Sequence, residues 1–186
     1  MTVGFAVCGS HCTFSQIFPA MEELAKHHKV IPIFSQAAAS TDTRFGSARE
    51  HLQWAEAICG CAPILTVAQA EPIGPKKLLD ALVIAPCTGN TLAKLAHSIA
   101  DSPVTMAAKS HLRNGRPILI GISTNDALAG AAENIGKLMG RRHYYFIPFG
   151  QDDPIQKPTS MVADFSKLLP ALEAALGGRQ LQPILL

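Results

Sequence analysis

Small polar residues follow three apolar stretches of the sequence, and their types suit the binding of an anion. Gly9, Ser10 and Thr13 follow the first stretch. Ser35 follows the second, and residues 86–91, after a later one, offer two hydroxyls, an amide and a glycine. Glycine lets backbone N–H groups approach a ligand, hydroxyls donate hydrogen bonds, and a helix N-terminus adds partial positive charge. Phosphate suits such a set, although ordinary helix capping uses the same residue types.

The composition excludes several classes of protein. The chain has 186 residues, 48% of them apolar, and its 16 basic and 14 acidic side chains give a net charge of +2. These values exclude a disordered tail and a collagen-like rod, and they provide no field that would attract nucleic acid or an anionic membrane. Only 16% of the residues are charged. We therefore expect part of the apolar surface to be covered in a homo-oligomer or to line a ligand pocket.

The first 21 residues contain no Lys, Arg, Asp or Glu, yet they predict neither a signal peptide nor a membrane span. They lack a basic start, and Ser10, His11, Gln16 and Pro19 interrupt the apolar run. We therefore expect a cytoplasmic protein. Five cysteines without a CxxC pair form neither a complete disulfide framework nor a zinc site, so no metal is predicted.

Apolar runs alternate with helical patterns along the chain, which indicates an α/β fold. We expect residues 1–186 to form one domain, a doubly wound, Rossmann-like, mainly parallel sheet of six strands with helices on both faces. Ligands of such sheets bind beyond the carboxyl ends of the strands. The predicted strands are 3–8, 30–34, 64–67, 81–85, 118–122 and 144–149, the predicted helices are about 14–25, 48–59, 90–100, 103–113, 127–139 and 161–176, and 35–46 is a predicted loop.

The stretch APCTGNTLAKLAHSIADS at residues 85–102 resembles the segment APATANTxAKxAxGxADN of the homo-oligomeric flavin-containing cysteine decarboxylase superfamily. Gly9, Ser10 and Ser35 match the other positions that hold the FMN phosphate in that family. The resemblance implies an FMN cofactor and assembly as trimers or dodecamers, with the flavin near a subunit interface. The predicted cofactor-binding residues are Gly9, Ser10, Thr13, Ser35, Thr88, Asn90, Thr91 and Ser123.

Two departures from the decarboxylases of this superfamily change the expected chemistry. Pro72 occupies the position of the catalytic histidine, eight residues before Asp80 in that family's HIxLxxxxD pattern, and proline cannot exchange protons. Residues 122–129 align with the substrate clamp PxMNxxMW and keep Asn125, but they lose the proline, both methionine-like anchors and the tryptophan. These losses argue against the oxidative decarboxylation of a cysteine.

Four longer stretches resemble a branch of the superfamily that lacks this histidine: STDTRFG at 40–46, EPIGPKKLLDALVIAPCTGNT at 71–91, ISTNDAL at 122–128 and FIPFGQDDPIQKP at 146–158. The resemblance implies an oxidoreductase subunit that works with a second, dinucleotide-binding-like subunit, through which NAD(P) would enter. The implied reaction oxidises a dihydro precursor to pyridine-2,6-dicarboxylate in the mother cell of a sporulating bacterium.

A small dicarboxylate substrate needs donors for two negative groups. Arg44 can form a bidentate pair with one carboxylate, and Ser123, Thr124 and Asn125 offer neutral donors at another strand end. These four are the predicted substrate-binding residues. The alternatives are a solvated loop arginine at position 44 and a simple helix cap at position 125.

The predicted catalytic residues are His11, Asn90 and Asn125. His11 is the only histidine at a predicted strand end with neighbours that suit a proton acceptor. Asn90 could orient substrate or flavin.

Three functions stay open at this level. The first is an oxidoreductase subunit with FMN or with a nucleotide-binding partner. The second is an FMN-dependent, decarboxylase-like flavoprotein, against which Pro72 and the altered clamp argue. The third is a non-catalytic scaffold subunit with a phosphate pocket. The sequence does not separate the first from the third, because a pocket that binds phosphate need not hold a flavin ring.

Overall fold

The computed structural model describes all 186 residues and consists of one seven-stranded sheet with its connecting helices. The strands are β1 (Thr2–Val7), β2 (Lys29–Phe34), β3 (Ala81–Cys87), β4 (Ile118–Thr124), β5 (Tyr144–Phe146), β6 (Phe149–Gln151) and β7 (Met161–Ala163). The α-helices are α1 (Phe14–His27), α2 (Gln36–Ser40), α3 (Ala48–Cys59), α4 (Val67–Ala70), α5 (Gly89–Ala96), α6 (Pro103–Leu112), α7 (Ala132–Met139) and α8 (Leu168–Leu176). Short 3₁₀-helices lie at His11–Thr13, Glu71–Ile73 and Phe165–Lys167.

The sheet order confirms the predicted Rossmann-like class. The strands lie in the order β2-β1-β3-β4-β7-β6, and β5 also pairs with β4. Pairing from β2 through β1, β3 and β4 to β5 is parallel, whereas β7 runs antiparallel to both β4 and β6. The sheet is therefore mainly parallel, with an antiparallel hairpin at one edge.

The central strands β1, β3 and β4 are buried along almost their whole length, as expected for parallel strands covered on both faces. They contribute to one cluster of 48 buried apolar residues. Pro32 lies on β2, at the edge of the sheet, where its missing N–H removes no hydrogen bond to a neighbouring strand. No helix is both long and apolar enough to span a bilayer.

The predicted strand at 64–67 does not form, which corrects the prediction for this segment. Ile64 makes only an isolated parallel bridge to Ile33. The Oγ1 atom of Thr66 accepts a hydrogen bond from the N–H of Gln69 at 3.1 Å, and this capping box begins α4. Because the helix cap at Thr66 follows Ile64 and Leu65 directly, these two apolar residues do not continue into a strand.

The predicted loop at 35–46 contains α2. The hydroxyl of Ser35 accepts from the N–H of Ala38 at 3.3 Å and caps this helix. The run of alanines that follows favours helix, and Ala38 is buried. By contrast, the helix predicted over 48–59 has those same bounds in the structure, because Ser47 and Glu50 form a capping box at its start.

The prediction for the chain after β4 was wrong in three places. Ser123 and Thr124 extend β4 instead of capping a helix, and α7 begins only at Ala132, after a series of turns. The predicted strand 144–149 is divided into β5 and β6, because Pro148 has no N–H to donate to a ladder. The first residues of the predicted helix 161–176 form β7, whose pairing with β4 and β6 supplies hydrogen bonds that sequence periodicity does not reveal.

Candidate functional site

A cavity of about 520 Å³ opens at the carboxyl ends of the strands, within the range of ligand sites. Its walls come from the loops after β1, β3 and β6, from the end of β4 and the residue after it, from β7, and from the loop that follows α2, so it extends across most of the sheet. The lining residues are Gly9, Ser10, His11, Cys12, Thr43, Arg44, Phe45, Thr88, Ser123, Thr124, Asn125, Asp152, Lys157, Ser160 and Val162.

The loop after β1 brings Ser10 across the sheet to β4. Its hydroxyl lies 2.7 Å from the hydroxyl of Ser123, although β3 lies between β1 and β4 in the sheet. The hydroxyl of Thr13 donates to the carbonyl oxygen of Ser10 at 2.8 Å and holds the turn. A side chain at Gly9 would place its Cβ 3.0 Å from the Cβ of Ala37, so glycine gives the loop room to lie close to α2.

The loop after β3 places Thr88 at the N-terminus of α5. The Oγ1 atom of Thr88 accepts from the N–H of Thr91 at 3.4 Å and donates to its Oγ1 at 3.2 Å. A Cβ at Gly89 would lie 2.6 Å from Oδ1 of Asp126, so glycine lets the start of α5 approach the end of β4. Thr88 therefore combines a helix cap with a place in the cavity wall.

The hydroxyl of Thr91, on the first turn of α5, points into the core. It donates to the sulfur of the buried Cys8 at 3.3 Å. Burial raises the pKa of Cys8 to about 11, although the bond from Thr91 opposes the rise. Cys8 is therefore a neutral packing thiol and no nucleophile.

The structure brings together eight of the predicted site residues and leaves four outside the cavity lining. Those in the lining are Gly9, Ser10, His11, Arg44, Thr88, Ser123, Thr124 and Asn125, and those outside are Thr13, Ser35, Asn90 and Thr91. Ser35 caps α2 and Asn90 is exposed on the first turn of α5. Pro72 lies in a 3₁₀-helix that does not contribute to the lining.

His11 is held in its neutral form. Burial, and to a smaller extent the nearby His51, lower the pKa of His11 below its usual value. Its ring centroid lies 4.9 Å from that of Phe14, and its buried Nε2 atom has no hydrogen-bond partner. A neutral imidazole with an unpartnered nitrogen can accept a proton at neutral pH.

Two cations and one carboxylate face the cavity. The guanidinium carbon of Arg44 lies 4.8 Å from the ring centroid of Phe45, and Arg44 makes no ion pair. The Nζ atom of Lys157 lies 3.2 Å from Oδ2 of Asp152. With His11 neutral, these side chains leave the lining with a net charge of +1, which favours an anionic ligand.

Sequence reasoning missed Asp152, Lys157 and Ser160. These residues lie on the hairpin loop between β6 and β7, in a stretch where the sequence pattern predicts only a connection to a long helix. The stretch FIPFGQDDPIQKP contains two of them, but it indicates only a resemblance and no role. If residues 161–163 are assigned as a strand antiparallel to β4, the loop before them is placed at the carboxyl edge of the sheet.

The donor set fits a phosphate group. Ser10, Thr88 and Ser123 present neutral hydroxyls beside the N-terminus of α5, and neutral donors at a helix N-terminus bind phosphate in many α/β folds. No group of three or more His, Cys, Asp or Glu side chains is placed to hold a metal ion.

Comparison with known proteins identifies the family. Residues 1–156 match the sequence model of the Flavoprotein family, and the chain belongs to that family. It is 49% identical over 184 residues to the B subunit of dipicolinate synthase from Bacillus subtilis (strain 168), a match that covers 98% of this chain and 92% of that protein. This confirms the resemblance that the four longer stretches of the sequence indicate.

Solved structures show the same fold. The crystal structure of the B subunit of dipicolinate synthase from Bacillus halodurans C is 47% identical, with a TM-score of 0.91 over 100% of this chain and 95% of that one. Burkholderia xenovorans DmrB, solved in complex with FMN, is 18% identical, with a TM-score of 0.68 over 95% of each chain. At this identity the second match shows a shared fold alone.

Proposed function

We propose that this chain is the B subunit of a dipicolinate synthase, which acts with the A subunit of the same enzyme to oxidise a dihydrodipicolinate-level precursor to dipicolinate. The observation that carries the proposal is the convergence of neutral hydroxyls, Arg44 and a neutral His11 in one cavity of net positive charge. The near full-length similarity to the Bacillus subtilis protein supports the same assignment.

The reaction removes a hydride and a proton from the precursor and leaves an aromatic ring. Arg44 binds one substrate carboxylate, and Thr124 and Asn125 orient the ring. His11, which lines the cavity, accepts the proton. Asn90, on the exposed first turn of α5, stays a proposed orienting residue that a subunit interface would have to bring to the substrate.

FMN is the proposed cofactor, supported by the family and by the FMN complex of DmrB. Ser10, Thr88 and Ser123, with the backbone at Gly9, would hold its phosphate. Thr13, Ser35 and Thr91 would support this site indirectly. The hydroxyl of Thr13 holds the turn after β1, that of Ser35 caps α2, and that of Thr91 accepts a hydrogen bond from Thr88. When bound, FMN supplies a hydride acceptor, and NAD(P) on the A subunit is the alternative acceptor.

We further propose that residues 1–186 act as one domain, that the chain forms a homo-oligomer such as a trimer or dodecamer, and that it works in the cytoplasm of the mother cell during sporulation. A charged-residue content of only 16% supports contact with other subunits.

A non-catalytic scaffold is a second candidate. It is favoured by the direct hydrogen bond between the hydroxyls of Ser10 and Ser123, which engages one of the two O–H donors that a phosphate would use. In that case the cavity would stabilise an assembly with the A subunit without taking part in hydride transfer.

The visible spectrum of the purified chain, recorded with and without FMN, tests the assignment together with dipicolinate formation. We expect flavin absorbance that bleaches on addition of substrate, and dipicolinate formation only when both subunits are present. A colourless protein that never takes up FMN, but that the A subunit still requires for activity, would favour the scaffold. Full dipicolinate formation by the A subunit in the absence of this chain would contradict both functions.

A further inference from the structure

The cavity contains a lysine whose only charged partner is a carboxylate of the same wall. Lys157 and Asp152 lie on the loop between β6 and β7, and both line the cavity. Their charged atoms are 3.2 Å apart, and the exposed fractions of their side chains are 58% for Lys157 and 27% for Asp152. An ion pair exposed to this extent contributes only about 0–1 kcal/mol, so another carboxylate can replace Asp152 at little cost.

The backbone that carries Lys157 is fixed against the end of β4. The hydroxyl of Thr159 donates to the carbonyl oxygen of Asn125 at 2.7 Å, and the N–H of Leu128 donates to the carbonyl oxygen of Thr159 at 3.0 Å. The N–H of Lys157 donates to the carbonyl oxygen of Asp153 at 2.8 Å. The loop therefore holds the lysine at the cavity, while its long side chain keeps the freedom to change partner.

Asp152 is built to remain a carboxylate. Burial by itself would raise its pKa, but hydrogen bonds from the hydroxyl of Ser160 and from Lys157 lower the pKa overall. Ser160 is buried and lines the same cavity as Asp152. Asp152 is therefore a resting counter-ion whose charged form does not depend on Lys157 alone.

The two cations of the cavity approach it from opposite ends of the sheet. Arg44 is carried by the loop that follows β2 and α2, whereas Lys157 comes from the β6–β7 hairpin, and β2 and β6 are the first and last strands of the order. Both side chains line the same cavity. A ligand with two carboxylates can pair with both cations, whereas a ligand with one carboxylate can pair with only one of them.

We propose that Lys157 binds the second carboxylate of the substrate and that Asp152 is its counter-ion in the free protein, displaced when the dicarboxylate binds. This inference rests on the proposed function, since it takes the dicarboxylate as the ligand. The proposal predicts opposite changes in ligand affinity for two substitutions. Removing Lys157 weakens binding, whereas removing the charge of Asp152 strengthens binding, because the carboxylate competes with the ligand. A pair that only braced the loop would weaken binding in both variants.

Titration calorimetry of the full chain with pyridine-2,6-dicarboxylate and with pyridine-2-carboxylate tests the proposal. For Lys157→Gln we expect about tenfold weaker binding of the dicarboxylate, the effect of one charge-assisted hydrogen bond, and less than about twofold change for the monocarboxylate. For Asp152→Asn we expect dicarboxylate binding to tighten by roughly twofold to fivefold. Glu23→Gln and Lys26→Gln, which break an exposed pair on α1 outside the cavity, are the matched controls and leave both affinities unchanged.

Three outcomes are informative against the proposal. Equal effects of Lys157→Gln on the two ligands, or a shift of both variants in the same direction, would overturn the role of Lys157 while the proposed function stands. A wild-type chain that binds neither ligand, by itself or together with the A subunit, would overturn the proposed function and this inference with it. Circular dichroism and thermal melting establish that each variant is folded.

Discussion

At the amino edge of the sheet, arginines are paired with oxygens of the protein itself, whereas at the carboxyl edge they are not. Arg141, which precedes β5, donates to the carbonyl oxygens of Leu95 at 3.1 Å and Ala96 at 2.7 Å, at the end of α5. Arg44, at the carboxyl edge, makes no ion pair, lies over the ring of Phe45 and forms part of the cavity wall.

A second pair of residues shows the same contrast. Arg116, before β4, donates to the carbonyl oxygen of Leu79 and lies 3.5 Å from Oδ1 of Asp80. Lys157 has one exposed carboxylate partner. Cations whose donors are already satisfied by backbone oxygens stabilise the fold, and cations with weak partners are available to a ligand. Residue type alone does not separate these two uses.

The largest expected effect comes from Arg141→Met. The substitution leaves two carbonyl oxygens at the end of α5 without their charged donor, so we expect the free energy of unfolding to fall by roughly 2–4 kcal/mol. Urea denaturation measures the change. Affinity for pyridine-2,6-dicarboxylate, measured on the folded variant, should stay within about twofold of the wild type because the cavity lies at the opposite edge.

The counterpart in the cavity is Arg44→Gln, with Arg49→Gln on α3 as the exposed control. We expect Arg44→Gln to change the free energy of unfolding by less than about 0.5 kcal/mol. The same variant should bind the dicarboxylate about tenfold or more weakly, since one charged partner is lost. The contrast between the two edges would be wrong if Arg44→Gln destabilised the fold as much as Arg141→Met does.

The next effect concerns His111, a histidine at the amino edge of the sheet. His111 is fully buried near the start of β4, its Nε2 lies 3.0 Å from the carbonyl oxygen of Pro117, and burial lowers its pKa to about 4. In the unfolded chain the pKa returns to about 6.5, so the unfolded state binds more protons between these values. The stabilising contribution is complete above about pH 6.5 and is lost as the pH falls towards 4, by up to roughly 3 kcal/mol.

Chemical denaturation between pH 4.5 and 7 checks this dependence. The stability of His111→Gln should fall less over this range than that of the wild type, because glutamine does not titrate. The exposed His97→Gln serves as the control and should follow the wild type. Equal slopes for all three proteins would show that another group causes the acid sensitivity.

The smallest effect is expected for Thr88→Val. The variant loses the cap of α5, at a cost of about 1 kcal/mol in unfolding free energy, and keeps its fold. Titration with FMN and with inorganic phosphate should show roughly twofold to tenfold weaker binding, since one neutral donor is lost. Ser102→Ala removes the comparable cap of α6 outside the cavity, so it should cost similar stability and leave both affinities unchanged. Unchanged affinity for Thr88→Val would remove this segment from the anion site.

The parts of the fold that could be predicted depend on contacts between neighbours in the chain. Helix α3 begins at a Ser47–Glu50 capping box, and β1, β3 and β4 are continuous apolar runs. The polar residues directly after β1 and β3 are expected at one edge because parallel strands end on the same side of a sheet. That rule is sufficient to place Ser10 and Thr88 in one cavity wall.

The same rule does not decide where a side chain points. Ser35 and Thr91 both follow strand ends, yet one hydroxyl caps α2 and the other meets Cys8 in the core. Each direction depends on the backbone conformation of the turn and on the neighbouring strand, neither of which appears in a pattern of residue types.

By itself, the sequence determined the α/β class, the family and the first half of the candidate site, because helix caps, apolar runs and strand-end loops are set by residues only a few positions apart. The hairpin of β6 and β7, and with it Lys157 and Asp152, was decided only by the tertiary structure. Ser123 pairs with Val162 across 39 positions of the chain, and local periodicity carries no signal for such a pairing, since its hydrogen bonds exist only after the sheet has formed.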